Sequence, residues 1–379
     1  MKPLSEKIAR VAPSATLAIS DKAKKMQRDG VDVISLSIGE PDFDTPRHIR
    51  DACIDALNRG ETHYAPSNGI PELLNAISKK ITRENHFSCS PEQVIVTCGA
   101  KDAIYEAMEA VLNPGDETML LTPAWVSYEP CVQIAGGKVV KHPVSTKTFQ
   151  LDDSLLERVN GKTKMIVVNS PSNPSGAVFN LKSMKLVADI CQDHDVFAMS
   201  DEIYENLVYG RKHISLAATD DMAQRTITIN GFSKSYAMTG WRLGYAVAPK
   251  DIIRQMSKVQ QHSVSQAATF SMWGAVAALE GDQSCVKEMR NEFDRRRKYM
   301  ISELNRMGYE TAPADGAFYA FVKVPGDDMK IADRWLEEGH VATTPGSAFD
   351  APGWIRLSYA ASMEKLREAM QRIRFASQQ

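Results

Sequence analysis

The chain contains 379 residues, of which 43% are hydrophobic and 24% charged, and its 45 basic and 47 acidic side chains give a formal net charge of −2. This length predicts about two domains, with cores large enough to fold without disulfide or metal staples. The balanced charge excludes the basic excess of a dedicated nucleic-acid-binding protein, although a few cations can still bind a small anion.

The cysteines and the apolar stretches indicate the compartment in which we expect the protein. The six cysteines include no Cys-x-x-Cys pair, so the sequence predicts free thiols in a reducing compartment and no metal site. Residues 1–20 lack the apolar core of a secretory signal, and the apolar stretch 269–279 is shorter than the ~20 residues of a membrane span. We therefore expect a soluble, cytoplasmic protein with no membrane or nucleic-acid partner.

Short apolar or β-branched runs alternate with helical patterns through the middle of the chain. They occupy positions 94–97, 119–121, 165–168, 196–199 and 226–229. Near-continuous apolar runs flanked by helices are typical of strands buried on both faces, so we predict an α/β fold with a mostly parallel sheet. Ligands of such sheets bind beyond the carboxyl ends of the strands, so the residues after each run are the candidate site.

The last hundred residues have a different pattern. A charged helical segment at 287–307 precedes strand-like pieces at 317–324 and 354–359, and an amphipathic helix begins at Met363. We interpret this region as part of a second, smaller α+β domain.

One segment after the run 226–229 carries candidate chemistry. It reads GFSKSYAMTGWRLG at 231–244, with Lys234 just past a buried strand and Arg242 eight positions later. A lysine that is desolvated among apolar neighbours loses its proton more easily, and its amine becomes a nucleophile. Taken alone, a lysine at a strand end is more often an ordinary surface residue.

This segment resembles the lysine motif of the class I aminotransferases, enzymes that depend on pyridoxal 5′-phosphate (PLP). Further matching segments follow the family's order: GEPD at 39–42, YAP at 64–66, GAK at 99–101, PAW at 123–125, NSPSNPSG at 169–176, SDEIY at 200–204 and IRLSY at 355–359. The resemblance runs from about residue 10 to the C-terminus. It implies a fold type I transferase with a mostly parallel seven-stranded sheet in a large PLP-binding domain, 45–282, and a small domain assembled from 1–44 and 283–379.

The resemblance also implies the residues that bind the cofactor. Lys234 resembles the Schiff-base lysine, and Asp201 the partner of the pyridine nitrogen. Tyr204 and Asn173 resemble the residues that hydrogen-bond the phenolic oxygen, and Trp125 the residue that stacks on the ring. The implied phosphate ligands are Gly99, Ala100, Lys101, Ser233, Arg242 and, from the neighbouring subunit of a homodimer, Tyr64. Without this context Gly99 to Lys101 would be a plain strand-to-helix turn.

The same resemblance implies the residues that bind the substrate. Arg356 resembles the clamp for the α-carboxylate, since a planar guanidinium binds a carboxylate in bidentate fashion. Gly39 would add a backbone contact, and Trp125 and Asn173 would also border the substrate. In the bacterial and archaeal aspartate aminotransferase branch, which this chain resembles most, Lys101 and a hydroxyl near Thr16 would read the side-chain carboxylate.

The sequence motifs specify the type of reaction more closely than they specify the substrate. We expect L-aspartate and 2-oxoglutarate to react by ping-pong half-reactions, and aromatic, alanine or prephenate transamination would use the same core residues. A PLP-dependent C–S lyase or cyclopropane-forming synthase would share the lysine, aspartate and arginine. A transcription regulator built on an aminotransferase domain would carry an additional DNA-binding module, which we do not expect in residues 1–44.

Overall fold

The computed structural model describes residues 4–9, 11–12 and 15–378, and the side chains among them except those of residues 6 and 15–20. The α-helices of this part are α1 Glu6–Ala9, α2 Ala15–Arg28, α3 Arg47–Asn58, α4 Pro71–Lys80, α5 Ala100–Val111, α6 Tyr128–Ile134, α7 Leu181–Asp193, α8 Lys250–Gln261, α9 Thr269–Glu280, α10 Ser284–Arg306, α11 Asp328–Glu337 and α12 Met363–Ala376. The strands are β1 Ile34–Ser35, β2 Val94–Thr97, β3 Glu117–Thr122, β4 Lys138–Pro143, β5 Thr163–Asn169, β6 Phe197–Asp201, β7 Thr226–Gly231, β8 Gly244–Val247, β9 Tyr319–Lys323, β10 Val341–Ala342, β11 Thr344–Pro345 and β12 Trp354–Ser358.

A seven-stranded sheet forms the centre of the larger part of the fold. Its strand order is β2-β8-β7-β6-β5-β3-β4, and every pairing is parallel except the two that β8 makes with β2 and β7. The predicted α/β class and mostly parallel sheet are confirmed. The five apolar runs lie in β2, β3, β5, β6 and β7, whose side chains are largely buried because helices cover both faces.

Two strands of this sheet, β4 and β8, have no counterpart among the five runs. β4 is an edge strand with the sequence KVVKHP, and most of its side chains keep contact with solvent. β8 has four residues, begins with a glycine and runs antiparallel to its neighbours. Neither strand presents the long apolar run that marks a strand buried in a parallel sheet.

The register of the sheet places polar strand ends side by side. Asn169, the last residue of β5, pairs with Asp201, the last residue of β6. Helix α5 follows β2 after a short turn at Cys98 and Gly99, and it buries an apolar face with Ala103, Ile104, Ala107 and Met108. The carboxyl edge of the sheet is therefore lined by polar groups and by the N-terminus of a helix.

The C-terminal part contains the antiparallel sheet β11-β12-β9, which packs against α10 and α11, while α12 packs on these two helices. The predicted helix and strand pieces correspond to α10, β9, β12 and α12. Strand β1 pairs in parallel with β10, and the Leu36 carbonyl accepts a hydrogen bond from the Ser358 N–H at 2.7 Å. The two ends of the chain thus meet in one unit, while the domain boundaries at 44/45 and 282/283 remain a prediction.

Among the described residues, no helix combines the length and hydropathy that crossing a membrane requires.

Candidate active site

A cavity of about 530 Å³ lies beyond the carboxyl ends of the central strands. Its wall includes Asn169 at the end of β5, Asp201 at the end of β6 and Lys234, three residues after β7. The C-terminal part closes the other side with Tyr319 of β9 and Arg356 of β12. This is the place where open α/β sheets bind ligands.

The amine of Lys234 is buried in this cavity. Its Nζ donates a hydrogen bond to the Gly39 carbonyl at 2.5 Å and lies 5.7 Å from the centroid of the Phe318 ring. Burial lowers the pKa of Lys234 to about 8, with Glu40 opposing this shift and the Arg356 guanidinium reinforcing it. About a tenth of the amine is therefore neutral at pH 7, far more than for an ordinary lysine, and available as a nucleophile or base.

Asp201 offers a buried carboxylate to the same space. The Tyr128 hydroxyl donates to its Oδ2 at 2.6 Å, and the Ile203 N–H donates to its Oδ1 at 3.2 Å. Burial raises the pKa of Asp201 to about 6, although these two donors act in the opposite direction. A cationic N–H group of a ligand would complete the solvation of this carboxylate.

An anion seat forms where α5 begins. Gly99 precedes the helix with a φ of +94°, and a Cβ at this position would lie 2.6 Å from Nη2 of Arg242. Arg242, itself at a φ of +54°, is held by the carbonyls of Thr239 at 2.8 Å and Cys98 at 3.3 Å. The first N–H groups of a helix have no intrahelical partner, so together with the guanidinium they favour a phosphate.

Arg356 lies on the opposite wall and is buried. Its Nη1 donates to Oδ1 of Asn173 at 2.8 Å and its Nη2 to the Ser37 carbonyl at 2.6 Å. The guanidinium carbon lies 4.6 Å from the centroid of the Tyr319 ring and 4.9 Å from that of Phe349. Burial lowers the pKa of Arg356, but a guanidinium stays protonated in proteins, so the side chain presents a fixed cation.

Three contacts of aromatic side chains complete the wall. Nζ of Lys101 lies 5.0 Å from the centroid of the Trp125 ring, and Trp125 packs edge to face on Tyr128 at 5.4 Å. The hydroxyls of Tyr204 and Tyr319 are 2.8 Å apart. The cavity therefore combines a flat apolar face with cations at separate points.

The structure brings most of the predicted site residues together. The predicted residues that line the cavity are Gly39, Ala100, Lys101, Trp125, Asn173, Asp201, Tyr204, Ser233, Lys234, Arg242 and Arg356. Gly99 lies directly behind this wall, against Arg242. Tyr64 is 92% exposed, away from the cavity of its own chain, and the side chain of Thr16 lies outside the described residues.

Several residues of this wall were missed by sequence reasoning, among them Tyr128, Tyr319 and Lys24. Tyr128 and Tyr319 were not predicted because their partners, Asp201 and Tyr204, lie 73 and 115 positions away in the chain. Lys24 of α2 also lines the cavity. The apolar run of β9, whose first four residues are all buried, could have indicated that Tyr319 is buried, but not which residue it contacts.

Comparison with known proteins identifies the family. A model of the family "Aminotransferase class I and II" matches residues 31–373. The chain is 43% identical to the "Probable aspartate/prephenate aminotransferase" of Aquifex aeolicus, with 99% of this chain and 98% of that protein covered. It is 43% identical to the "Aspartate aminotransferase" of Pyrococcus abyssi, with 98% and 97% covered.

Solved structures agree with this assignment. The aspartate aminotransferase from Thermus thermophilus with maleate superposes with a TM-score of 0.96 at 40% identity, covering 99% of this chain and all of that one. The chain belongs to the class I and II aminotransferase family and has its fold type I architecture. It is a PLP-dependent aminotransferase.

Proposed function

We propose that this enzyme transfers the amino group of L-aspartate to 2-oxoglutarate, giving oxaloacetate and L-glutamate in two half-reactions. The observation that carries the proposal is the cavity that a Lys234 amine of lowered pKa shares with a buried carboxylate, Asp201, and a buried guanidinium, Arg356. The relatives named as aspartate aminotransferases support the choice of substrate.

The anion seat would hold the cofactor phosphate. Its donors are the backbone N–H groups at the start of α5, the Arg242 guanidinium and the Ser233 hydroxyl, and the glycine at 99 leaves Arg242 room to approach the helix. Lys101 belongs to the same helical turn. A partner subunit would add its Tyr64.

The central wall would hold the cofactor ring. Asp201 would accept a hydrogen bond from the pyridine nitrogen and would keep it protonated, because a buried carboxylate favours a cation beside it. Trp125 supplies a flat face for stacking, and Asn173 and Tyr204 supply polar atoms for the phenolic oxygen. When bound, PLP withdraws electrons from the substrate Cα and so allows its proton to leave.

Lys234 would carry the cofactor between turnovers and move the proton during them. Its neutral Nζ would take the proton from the substrate Cα and would return it at C4′ of the cofactor. A pKa of about 8 suits this exchange, because the ideal acid–base group titrates near the operating pH.

The substrate would be held by cations at two ends. Arg356 binds the α-carboxylate in bidentate fashion, and the Gly39 backbone lies beside it in the same cavity. Lys101, which lines the same cavity, would bind the second carboxylate, and Thr16 would be a hydroxyl donor to it. Maleate, which is present in the similar Thermus structure, is a four-carbon dicarboxylate like the proposed substrate.

Prephenate is a second candidate for the amino acceptor. The Aquifex relative is named as a probable aspartate/prephenate aminotransferase, and prephenate also carries two carboxylates. The same pair of cations, Arg356 and Lys101, would hold it.

We also propose a cytoplasmic homodimer. All six cysteines are free, which suits a reducing compartment. Ile54, Leu57 and Tyr64 expose 53%, 44% and 92% of their surface, and apolar exposure of this kind suits contact with a second copy.

A panel of amino donors tests the proposal. The PLP-loaded enzyme is assayed with L-aspartate, L-alanine, L-phenylalanine and L-cystine, with 2-oxoglutarate or prephenate as acceptor. We expect the highest kcat/KM for L-aspartate and the product oxaloacetate. Release of pyruvate and ammonia from L-cystine without any oxo-acid acceptor would instead identify a C–S lyase.

A further inference from the structure

A buried polar cluster lies beside the carboxyl end of β6, outside the set of residues that line the cavity. It consists of Lys80 at the end of α4, Asn85, Glu202, Glu205 and His213. Glu202 is fully buried, and Lys80 and Asn85 are 4% and 3% exposed. Two carboxylates and an ammonium in an interior are costly unless each is well paired, so their contacts require an explanation.

Glu202 is the most fully paired member of the cluster. Its Oε1 accepts from the hydroxyls of Ser200 and Ser215, each at 2.9 Å. Its Oε2 accepts from Nδ2 of Asn85 at 3.1 Å and lies 3.0 Å from Nε2 of His213. Hydrogen bonds from several directions leave this carboxylate a single orientation.

Glu205 is tied to the same cluster. Its Oε1 is paired with the Lys80 ammonium, and its Oε2 accepts from Nδ2 of Asn85 at 2.7 Å. Glu202, Glu205 and His213 bring ligand atoms within 4.8 Å of one another, the spacing of a metal site, but the Lys80 ammonium already provides a positive charge there.

The cluster and the cavity share one short turn. Asp201 and Tyr204 line the cavity, whereas Glu202 and Glu205 belong to the cluster. The turn is closed by a hydrogen bond from the Glu205 N–H to the Glu202 carbonyl at 2.9 Å, so the two pairs of side chains cannot move independently. What fixes the carboxylates of Glu202 and Glu205 therefore also fixes the groups that face the cofactor.

We propose that the buried polar cluster positions Asp201 and Tyr204 for the cofactor ring, and that Glu202 and His213 act as positioning residues in transamination. The proposal rests on the cofactor contacts proposed above for Asp201 and Tyr204. Buried ionic groups add little net stability, and a fixed conformation is one reason for a protein to retain them.

His213 is the member best suited to a test, because it carries one donor to Glu202 and lies at the margin of the cluster. Replacing His213 with Leu removes that donor, whereas His213→Gln retains an N–H that can reach Glu202. The matched control is His142→Leu, which removes another buried histidine, on the edge strand β4.

The holoenzymes are compared at full cofactor occupancy by kinetics and by visible circular dichroism of bound PLP. We expect His213→Leu to lower kcat of the aspartate half-reaction roughly tenfold with little change in KM, because the Arg356 clamp is intact. The cofactor band should weaken as the ring loses its fixed orientation. His213→Gln and His142→Leu should match the wild type in both readouts.

Hydrogen exchange separates this proposal from the proposed function. In the cofactor-free protein, peptides covering residues 200–207 should exchange faster in His213→Leu than in the wild type, whatever the substrate. An unchanged exchange rate, kcat and cofactor band in His213→Leu would overturn the positioning role, as would equal changes in His142→Leu. Failure of the wild type to transaminate any donor would refute the proposed function instead.

Discussion

At the scale of single residues, the decisive feature is the protonation of Lys234. Its amine is neutral above a pKa of about 8, because burial disfavours the ammonium and the nearby arginines repel it. An ordinary lysine would need a pH above about 10 to reach the same state. The cavity therefore prepares the amine before any ligand arrives.

This pKa predicts the pH dependence of cofactor capture. Since only the neutral amine attacks the aldehyde, the rate at which the cofactor-free protein binds PLP covalently should rise about tenfold between pH 7 and pH 9 and then level off. Stopped-flow absorption of the bound cofactor measures it. A rate that keeps rising steeply beyond pH 10 would show that Lys234 titrates as an exposed lysine.

Residues differ in how much of their role the sequence could predict. Lys234 and Asp201 lie inside compact motifs at strand ends, and Arg356 lies in a compact motif within β12. The structure brings all three into one cavity. Tyr128 and Tyr319 act through partners that are distant in the chain, so no local pattern could indicate them. The buried polar cluster was missed for the same reason, because Lys80 meets Glu205 across 125 positions.

At the scale of elements, the start of α5 depends on one glycine. Gly99 and Gly115 both have a φ of +94°, but only at Gly99 would a Cβ meet Arg242, while Gly115 has open space around it. Alanine at either position carries a backbone cost of about 1 kcal/mol. Only the change at Gly99 also disturbs the anion seat.

We therefore predict different effects for Gly99→Ala and Gly115→Ala. Gly99→Ala should raise the dissociation constant of PLP about tenfold or more, because Arg242 is pushed away from the helix N-terminus. Gly115→Ala should lower the melting temperature by about as much as Gly99→Ala does, because the backbone cost is the same, but it should leave the PLP affinity unchanged. Fluorescence titration with PLP measures the affinity of each variant. Equal PLP affinities of Gly99→Ala and Gly115→Ala would contradict the anion seat.

Elements were predictable where burial imposes a pattern. The strands β2, β3, β5, β6 and β7 are apolar because both faces are covered, and the sequence indicated each of them. The edge strand β4 needs less burial, and the short β8 is specified by its pairing with β2 and β7 rather than by its own composition.

At the scale of the whole molecule, the net charge of −2 hides a local concentration of cations. Lys101, Lys234, Arg242 and Arg356 all line one cavity, which suits a phosphate and two substrate carboxylates. The overall charge argued only against the basic excess of a dedicated nucleic-acid-binding protein. Only the fold shows that cations from distant segments converge.

The proposed homodimer makes a prediction at this scale. Lys234→Ala subunits should have no turnover and Tyr64→Ala subunits little, because their cofactor phosphate loses a ligand. In an equal mixture that is allowed to exchange subunits, each heterodimer regains one intact site, so about a quarter of wild-type activity should return. No recovery would show that Tyr64 does not serve the partner's site. Leu156→Ala, another exposed apolar residue, is the control for surface changes.

The central claim is that Lys234 carries the chemistry of this aminotransferase. Its most direct test is the turnover of Lys234→Ala with L-aspartate and 2-oxoglutarate, measured at saturating PLP beside Lys250→Ala, a change of an exposed lysine. We expect Lys234→Ala to bind PLP without covalent attachment and to show no multiple turnover, while Lys250→Ala stays fully active. Sustained turnover by Lys234→Ala would contradict this claim.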